Sequence, residues 1–195
     1  MGMIRNIFAI IGLVALLVGG YYYSKFSTEM TAFEELHPKA KQVYSDMWEG
    51  LKKYGNSADA TVWKVPLEEG VSWKDAEEAM RSVANELNMK GVGELPLSEQ
   101  VKLMTGKEQR FLKIYQFCDP VIAAIMVDYS DAFAAYLPCR ISMVEDKEGK
   151  FALYALNMDM MIYGGKPLPE ELFKAANGVK DKLQTIMKRA AEGDF

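Results

Sequence analysis

The hydrophobic pattern changes character three times along this chain. Between Asn6 and Ser24 no charge interrupts a run that includes Ile7-Phe-Ala-Ile-Ile-Gly-Leu-Val-Ala-Leu-Leu-Val-Gly-Gly-Tyr-Tyr-Tyr23. A hydrocarbon core takes about 20 residues of helix to cross, so this run is long enough, with its three tyrosines at interface depth. A secretory signal peptide opens in the same way, but bulky Tyr21, Tyr22 and Tyr23 stand where a small-residue cleavage site belongs. Residues 1–26 therefore read as a retained single-pass anchor. Arg5 on the short side competes with Lys25, Lys39 and Lys41 on the long side, so local charge does not favour a cytoplasmic N-terminus. The short basic opening ahead of a long domain still has the form of an exported signal anchor in a bacterial inner membrane. The soluble part is accordingly expected on the periplasmic side. Ala15-x-x-x-Gly19 puts two small residues on one helix face, a hint of packing against another membrane helix.

From Thr28 to Tyr54 apolar residues recur at near-helical spacing among charged ones. Pro38 predicts a break near Leu36-His37 and a second helix with Pro38 in its first turn. That second piece carries the stripe Val43, Met47, Leu51 and Tyr54. Residues 27–58 thus read as a helical stalk, and Gly55-Asn-Ser-Ala-Asp59 as a loop bounding the domain at 59–195. His37, the one histidine, lacks partners at metal-ligand spacing and reads as a solvated loop residue.

Beyond the stalk, strand and helix periods alternate. Ala60–Val65 alternates as a strand. Ser72 caps a helix whose buried face is Ala76, Met80, Val83, Ala84 and Leu87. Residues 88–97 suggest an irregular strand, and Ser98 onward a short helix stopped by Gly106. Arg110–Phe117 is a strand. Asp119 and Pro120 cap and start an apolar helix, Val121–Tyr129, expected to be mostly buried, followed by a shorter turn from Ser130 to Tyr136. Leu137–Glu145 and Lys150–Asn157 flank Asp146-Lys-Glu-Gly149 as a β-hairpin, with the second strand ending near Asp159-Met160-Met161. Glu170–Ala191 closes the chain as an amphipathic helix. Runs of consecutive strands mixed with helices predict an α+β domain with a mostly antiparallel sheet and flanking helices.

Composition narrows the function classes. The 195 residues are 50% hydrophobic and 26% charged, with net charge −4 and pI near 5.2. Nucleic-acid binding demands a concentrated basic surface, and none is present. No P-loop, G-x-G-x-x-G, G-x-S-x-G or H-E-x-x-H appears, so nucleotide binding and the familiar hydrolases lack motif support.

Chemistry concentrates between Arg110 and Met158, which holds both cysteines, each beside a proline: Cys118-Asp119-Pro120 and Leu137-Pro138-Cys139-Arg140. The candidate ligand or redox residues are Cys118, Asp119, Pro120, Pro138, Cys139, Arg140 and Asp159. The sequence leaves any cofactor unidentified, and it indicates no metal. Met143, Met158, Met160 and Met161 invite a Cu(I) reading, since soft sulfur ligands select that ion, but methionine is also the adaptable filler of cores, which is the reading adopted.

The two cysteine corners, the hairpin between acidic turn residues and the long final helix resemble the DUF302 family over about 60–191. Leu-Pro-Cys is matched in full, and Cys-Asp-Pro stands where members commonly have Cys-Asn-Pro. The resemblance implies a small α+β domain of undefined function that forms homodimers; the anchor and stalk depart from it.

The cysteines admit three readings. They could form a disulfide closing a loop of about twenty residues, contributing roughly 3 kcal/mol in the chain-entropy model. Cys118, just ahead of a helix N-terminus, could instead be a thiolate. Both could be half-buried apolar groups. The function expected is a membrane-tethered extracytoplasmic binding or interaction module, an accessory to other membrane subunits or a homodimer; the alternatives are a thiol-dependent redox or sulfur-handling protein using Cys118 and Cys139 and, after it, a small-ligand or cofactor carrier.

Overall fold

A computed structural model describes residues 2–195; Met1, the first residue of the expected anchor, lies outside the described residues. In chain order the elements are α1 (Gly2–Glu34), α2 (Ala40–Tyr54), α3 (Ser57–Thr61), β1 (Val62–Pro66), α4 (Trp73–Glu86), β2 (Lys90–Leu95), α5 (Leu97–Thr105) and β3 (Leu112–Cys118). They continue with α6 (Pro120–Tyr129), a 3-10 turn (Asp131–Tyr136), β4 (Cys139–Glu145), β5 (Phe151–Leu156), α7 (Asp159–Tyr163) and α8 (Glu170–Glu192).

α1 is one helix, long and apolar enough to cross a membrane, and none of its residues is buried. At 1.5 Å per residue its 33 residues run about 50 Å, against roughly 30 Å of hydrocarbon. The helix therefore continues unbroken from the apolar run into the polar stretch. Leu36-His37-Pro38 breaks it, and α2 starts at Ala40, two residues later than the proline suggested. Gly55, at φ +65, ends α2 by donating its N–H to the Leu51 carbonyl.

The break is fastened to the domain. The His37 N–H donates to the Gly165 carbonyl at 2.8 Å, Tyr44 donates its hydroxyl to the Gly164 carbonyl at 2.8 Å, and Lys166 pairs with Glu35 at 2.6 Å. His37 is not the free surface residue expected. Its ring stacks on Phe173 at 5.5 Å and tilts against Tyr163 at 5.1 Å, because α7 and α8 bring both aromatics to the break. The Gly55–Asp59 loop is also corrected. It is mostly helical, as α3, because Asn56 caps it by accepting the Ala58 N–H at 2.8 Å.

The five strands form one antiparallel sheet in the order β1-β5-β4-β3-β2. Register places Tyr115, Ile141, Ala155 and Trp63 side by side on one face. That face carries the core, with Ala76, Met80 and Val83 of α4 and Ala176, Leu183, Ile186 and Met187 of α8 packed on it. α4 holds its place through the expected cap. Ser72 accepts the Asp75 N–H while Asp75 accepts the Ser72 N–H, a reciprocal capping box. The opposite face aligns Ile114, Ser142, Tyr154 and Lys64, all half-buried or exposed.

Two expectations fail here for physical reasons. α6 is apolar but not mostly buried: Met126 alone is buried, while Val121 is 71% and Tyr129 49% exposed. Its contacts run to the 3-10 turn and α8, leaving Val121, Ala124, Ile125 and Tyr129 as an outward stripe. The segment around Asp159-Met160-Met161 is helical rather than the end of a strand. The Asn157 side chain accepts the Asp159 N–H at 2.8 Å and turns the chain out of β5 into α7.

Candidate functional site

β3 ends at Cys118, and the Asp119 carboxylate caps α6 by accepting the Ile122 N–H at 3.3 Å, with Pro120 at the first helical position. The chain then makes an excursion through α6 and the 3-10 turn. It returns through a cis Leu137-Pro138 bond, and β4 opens at Cys139 directly across from Phe117. Residues 119–138 thus leave and re-enter the sheet at one point, and the two cysteines stand at that point.

Beside them lies a cavity of about 370 Å³. The second sheet face supplies Ile114, Ser142, Tyr154 and Arg140; α6 supplies Ile122, Ala123 and Met126; α8 supplies Val179 and Leu183. Tyr136 and Leu137 of the return path, with Met158 and Met161 after β5, complete much of the wall.

Four of the seven residues singled out from sequence line this cavity: Cys118, Asp119, Cys139 and Arg140. Pro120 and Pro138 set its corners without lining it. Asp159 lies in an adjoining cleft of about 290 Å³ that shares Tyr136, Leu156 and Met161 with the main cavity, and it accepts from Lys180 at 2.7 Å. Of the methionines weighed for soft-metal binding, Met158 and Met161 face the cavity, whereas Met143 is fully buried on the helix-covered face. Among the described residues no group of three or more histidine, cysteine or carboxylate side chains is placed to hold a metal ion.

Both thiols are free. Burial pushes Cys139 up to about 11, with the neighbouring Cys118 adding to the shift. Burial also raises Cys118, and the Asp119 carboxylate beside it raises it further. The thiolate, one of the three readings open to Cys118, is therefore disfavoured, because desolvation and the capping carboxylate oppose the helix dipole. Both groups are neutral thiols near pH 7.

Three participants escaped the sequence reading. Ser142 and Tyr154 are cross-strand partners on the cavity face, which strand alternation from Arg140 could have located. Lys182, whose ammonium stands 3.6 Å from the Asp119 carboxylate, comes from α8 and had no local signal.

A second polar cluster sits on the helix-covered side. Glu77, 9% exposed, accepts from Lys113 at 3.1 and 3.2 Å and from the Tyr115 hydroxyl, and pairs with Arg81 at 2.5 Å. Arg81 also forks onto Glu94 at 2.9 and 2.8 Å. Burial and then the Glu77 hydrogen bond hold the Tyr115 phenol far above its usual range. Two acids and two bases satisfy one another there, which is a structural arrangement.

The sequence matches the family described as "Domain of unknown function DUF302" over residues 63–190. The chain belongs to the DUF302 family. Among solved structures it is similar to an uncharacterized conserved DUF302 protein from Bacillus stearothermophilus. The TM-score is 0.55 at 13% identity, over 67% of this chain and 98% of that one, a likeness of fold alone. No curated protein matches the chain. The DUF302 match thus spans the sheet and the helices from α4 onward, and α1, α2 and α3 lie outside the matched residues.

Proposed function

We propose that the chain is a membrane-tethered binding module in which α1 anchors the DUF302 domain at a bacterial inner membrane, on the periplasmic side, and the cavity beside Cys118 and Cys139 holds a small, largely apolar ligand. One observation carries this reading. Two cysteine corners separated by residues 119–138 meet at a preformed cavity of about 370 Å³, lined mainly by apolar side chains with a few convergent polar ones. Small-ligand sites have this size, typically ~300–1,000 Å³, and this composition. The length and apolarity of α1 support the tether.

The redox reading draws less support, because both thiols are held protonated by burial. An interaction role, with a second copy or a membrane subunit as partner, is favoured by the exposed stripe Val121, Ile125 and Tyr129 on α6. One experiment addresses both. Native mass spectrometry of the full chain, extracted from its membrane in mild detergent, should show a non-covalent adduct of a few hundred daltons. Ala123→Trp, which fills the cavity from the lightly packed α6, should abolish it. An adduct-free spectrum for the wild type, whatever the oligomeric state, removes the ligand reading; an assembly with other subunits advances the interaction reading instead.

A further inference from the structure

The cavity's polar groups are unequal in what they already do. The Asp119 carboxylate is occupied twice, accepting from the Ile122 N–H and standing 3.6 Å from the Lys182 ammonium. Asp159 next door is taken by Lys180. The two thiols are neutral, so they add no negative charge. Arg140 differs. It lines the cavity, is exposed at its mouth, and forms no ion pair among the described residues. Two positions along the same face of β4 is Ser142, and across from Ser142 is Tyr154, so a guanidinium and two hydroxyls lie along one side of the cavity. The apolar part of the lining includes Ile122 and Met126 of α6 and Val179 and Leu183 of α8.

We infer that the ligand is an amphipathic monocarboxylate whose head group is bound by Arg140 at the mouth and whose apolar body lies against α6 and α8. This deepens the binding-module reading and rests on it. A guanidinium fork matches a carboxylate bidentately, and hydroxyls beside it can donate to the remaining lone pairs. One uncommitted cation balances one negative charge, which favours a monoanion over a doubly charged phosphate. The chain as a whole is acidic, at −4, so a free cation at the mouth of an apolar cavity runs against the general sign of the molecule. Size sets a scale for the body. At the roughly 30 Å³ that a water-sized group takes in a liquid, 370 Å³ admits about a dozen non-hydrogen atoms. Decanoate is a probe of that size.

The test uses the full chain in lipid nanodiscs and a decanoic acid carrying a diazirine on its chain, with the corresponding primary amide as the neutral control. After irradiation, adducts are mapped by peptide mass spectrometry, so probe dissolved in the bilayer does not count. The acid should label cavity peptides containing Met126, Met158 or Leu183, about tenfold more efficiently than the amide. Arg140→Gln should erase that advantage while leaving the amide's labelling unchanged, and Arg140→Lys should recover part of it, since the charge stays but the fork is lost. Equal labelling by acid and amide in the wild type, or an acid preference that survives Arg140→Gln, overturns the head-group assignment while the cavity remains a binding site. Absence of either probe from the cavity peptides overturns the assignment together with the binding-module reading.

Discussion

The domain holds two concentrations of polar chemistry, one around Glu77 and one around Arg140, and they differ in whether the groups answer each other. Around Glu77 every strong donor has an acceptor: Lys113, Arg81 and Tyr115 all converge on Glu77 or Glu94. Around the cavity the carboxylate is spoken for by Lys182, the thiols are protonated, and Arg140 is left over. A closed set of charges costs desolvation and returns it as mutual pairing, so it fixes how α4 sits on β2 and β3. An open set against an apolar wall offers its pairing to something else. Perturbed titration alone points to the closed cluster, where burial and Glu77 hold the Tyr115 phenol far above its usual range.

The comparison breaks most visibly at Glu77. Glu77→Ala strands the buried Tyr115 hydroxyl and leaves Lys113 and Arg81 with Glu94 alone, which together should cost about 2 to 3 kcal/mol. Denaturant unfolding of the full chain in detergent should show that loss. A loss below about 1 kcal/mol would mean the cluster is solvated and that its closure fixes nothing.

The thiols give an effect that depends on pH. The native pKa of Cys139 is pushed up to about 11 from an ordinary 9.0, so between these values the native state holds a proton that the unfolded chain has released. Its stabilising contribution is complete below about pH 9 and is lost as the pH rises towards 11. Cys139→Ala should flatten part of the wild-type decline over that window, by on the order of 1 kcal/mol near pH 10. Identical pH slopes for the two proteins would show that Cys139 is not desolvated, and the cavity's neutral interior would go with it.

Local signals made much of this legible. Ser72 with Asp75 announced the start of α4, Gly149 at φ +77 the hairpin turn, and Asp119-Pro120 the start of α6. The two cysteine corners were also readable, because a residue beside a proline at a strand end is a local fact. What failed was non-local. The apolarity of Val121–Tyr129 reports a preference for burial but not whether a partner surface exists, and the fold provides one only along the side carrying Met126. His37 is held by Tyr163 and Phe173, far along the chain, and nothing in its neighbours foretells them. Lys182 reaches Asp119 from a helix whose polar face gave no reason to select it. The turn into α7 was the exception. Asn157 two residues before Asp159 is a local turn signal, and extending the hairpin strand to Asp159 passed over it.

The smallest expected effect, at Arg140, also gives the sharpest contrast, because it compares one residue type in both settings. Arg81 bridges Glu77 and Glu94, so Arg81→Gln leaves two carboxylates short of a charged donor and should cost about 1 to 2 kcal/mol of stability, its own exposure tempering the loss. Arg140 has no ion-pair partner to abandon among the described residues, so Arg140→Gln should change stability by less than about 0.5 kcal/mol. The two variants measured side by side therefore separate a cation used by the fold from one held in reserve. If Arg140→Gln proves as destabilising as Arg81→Gln, its guanidinium already serves the native structure, and the ligand that it was argued to await loses its anchor.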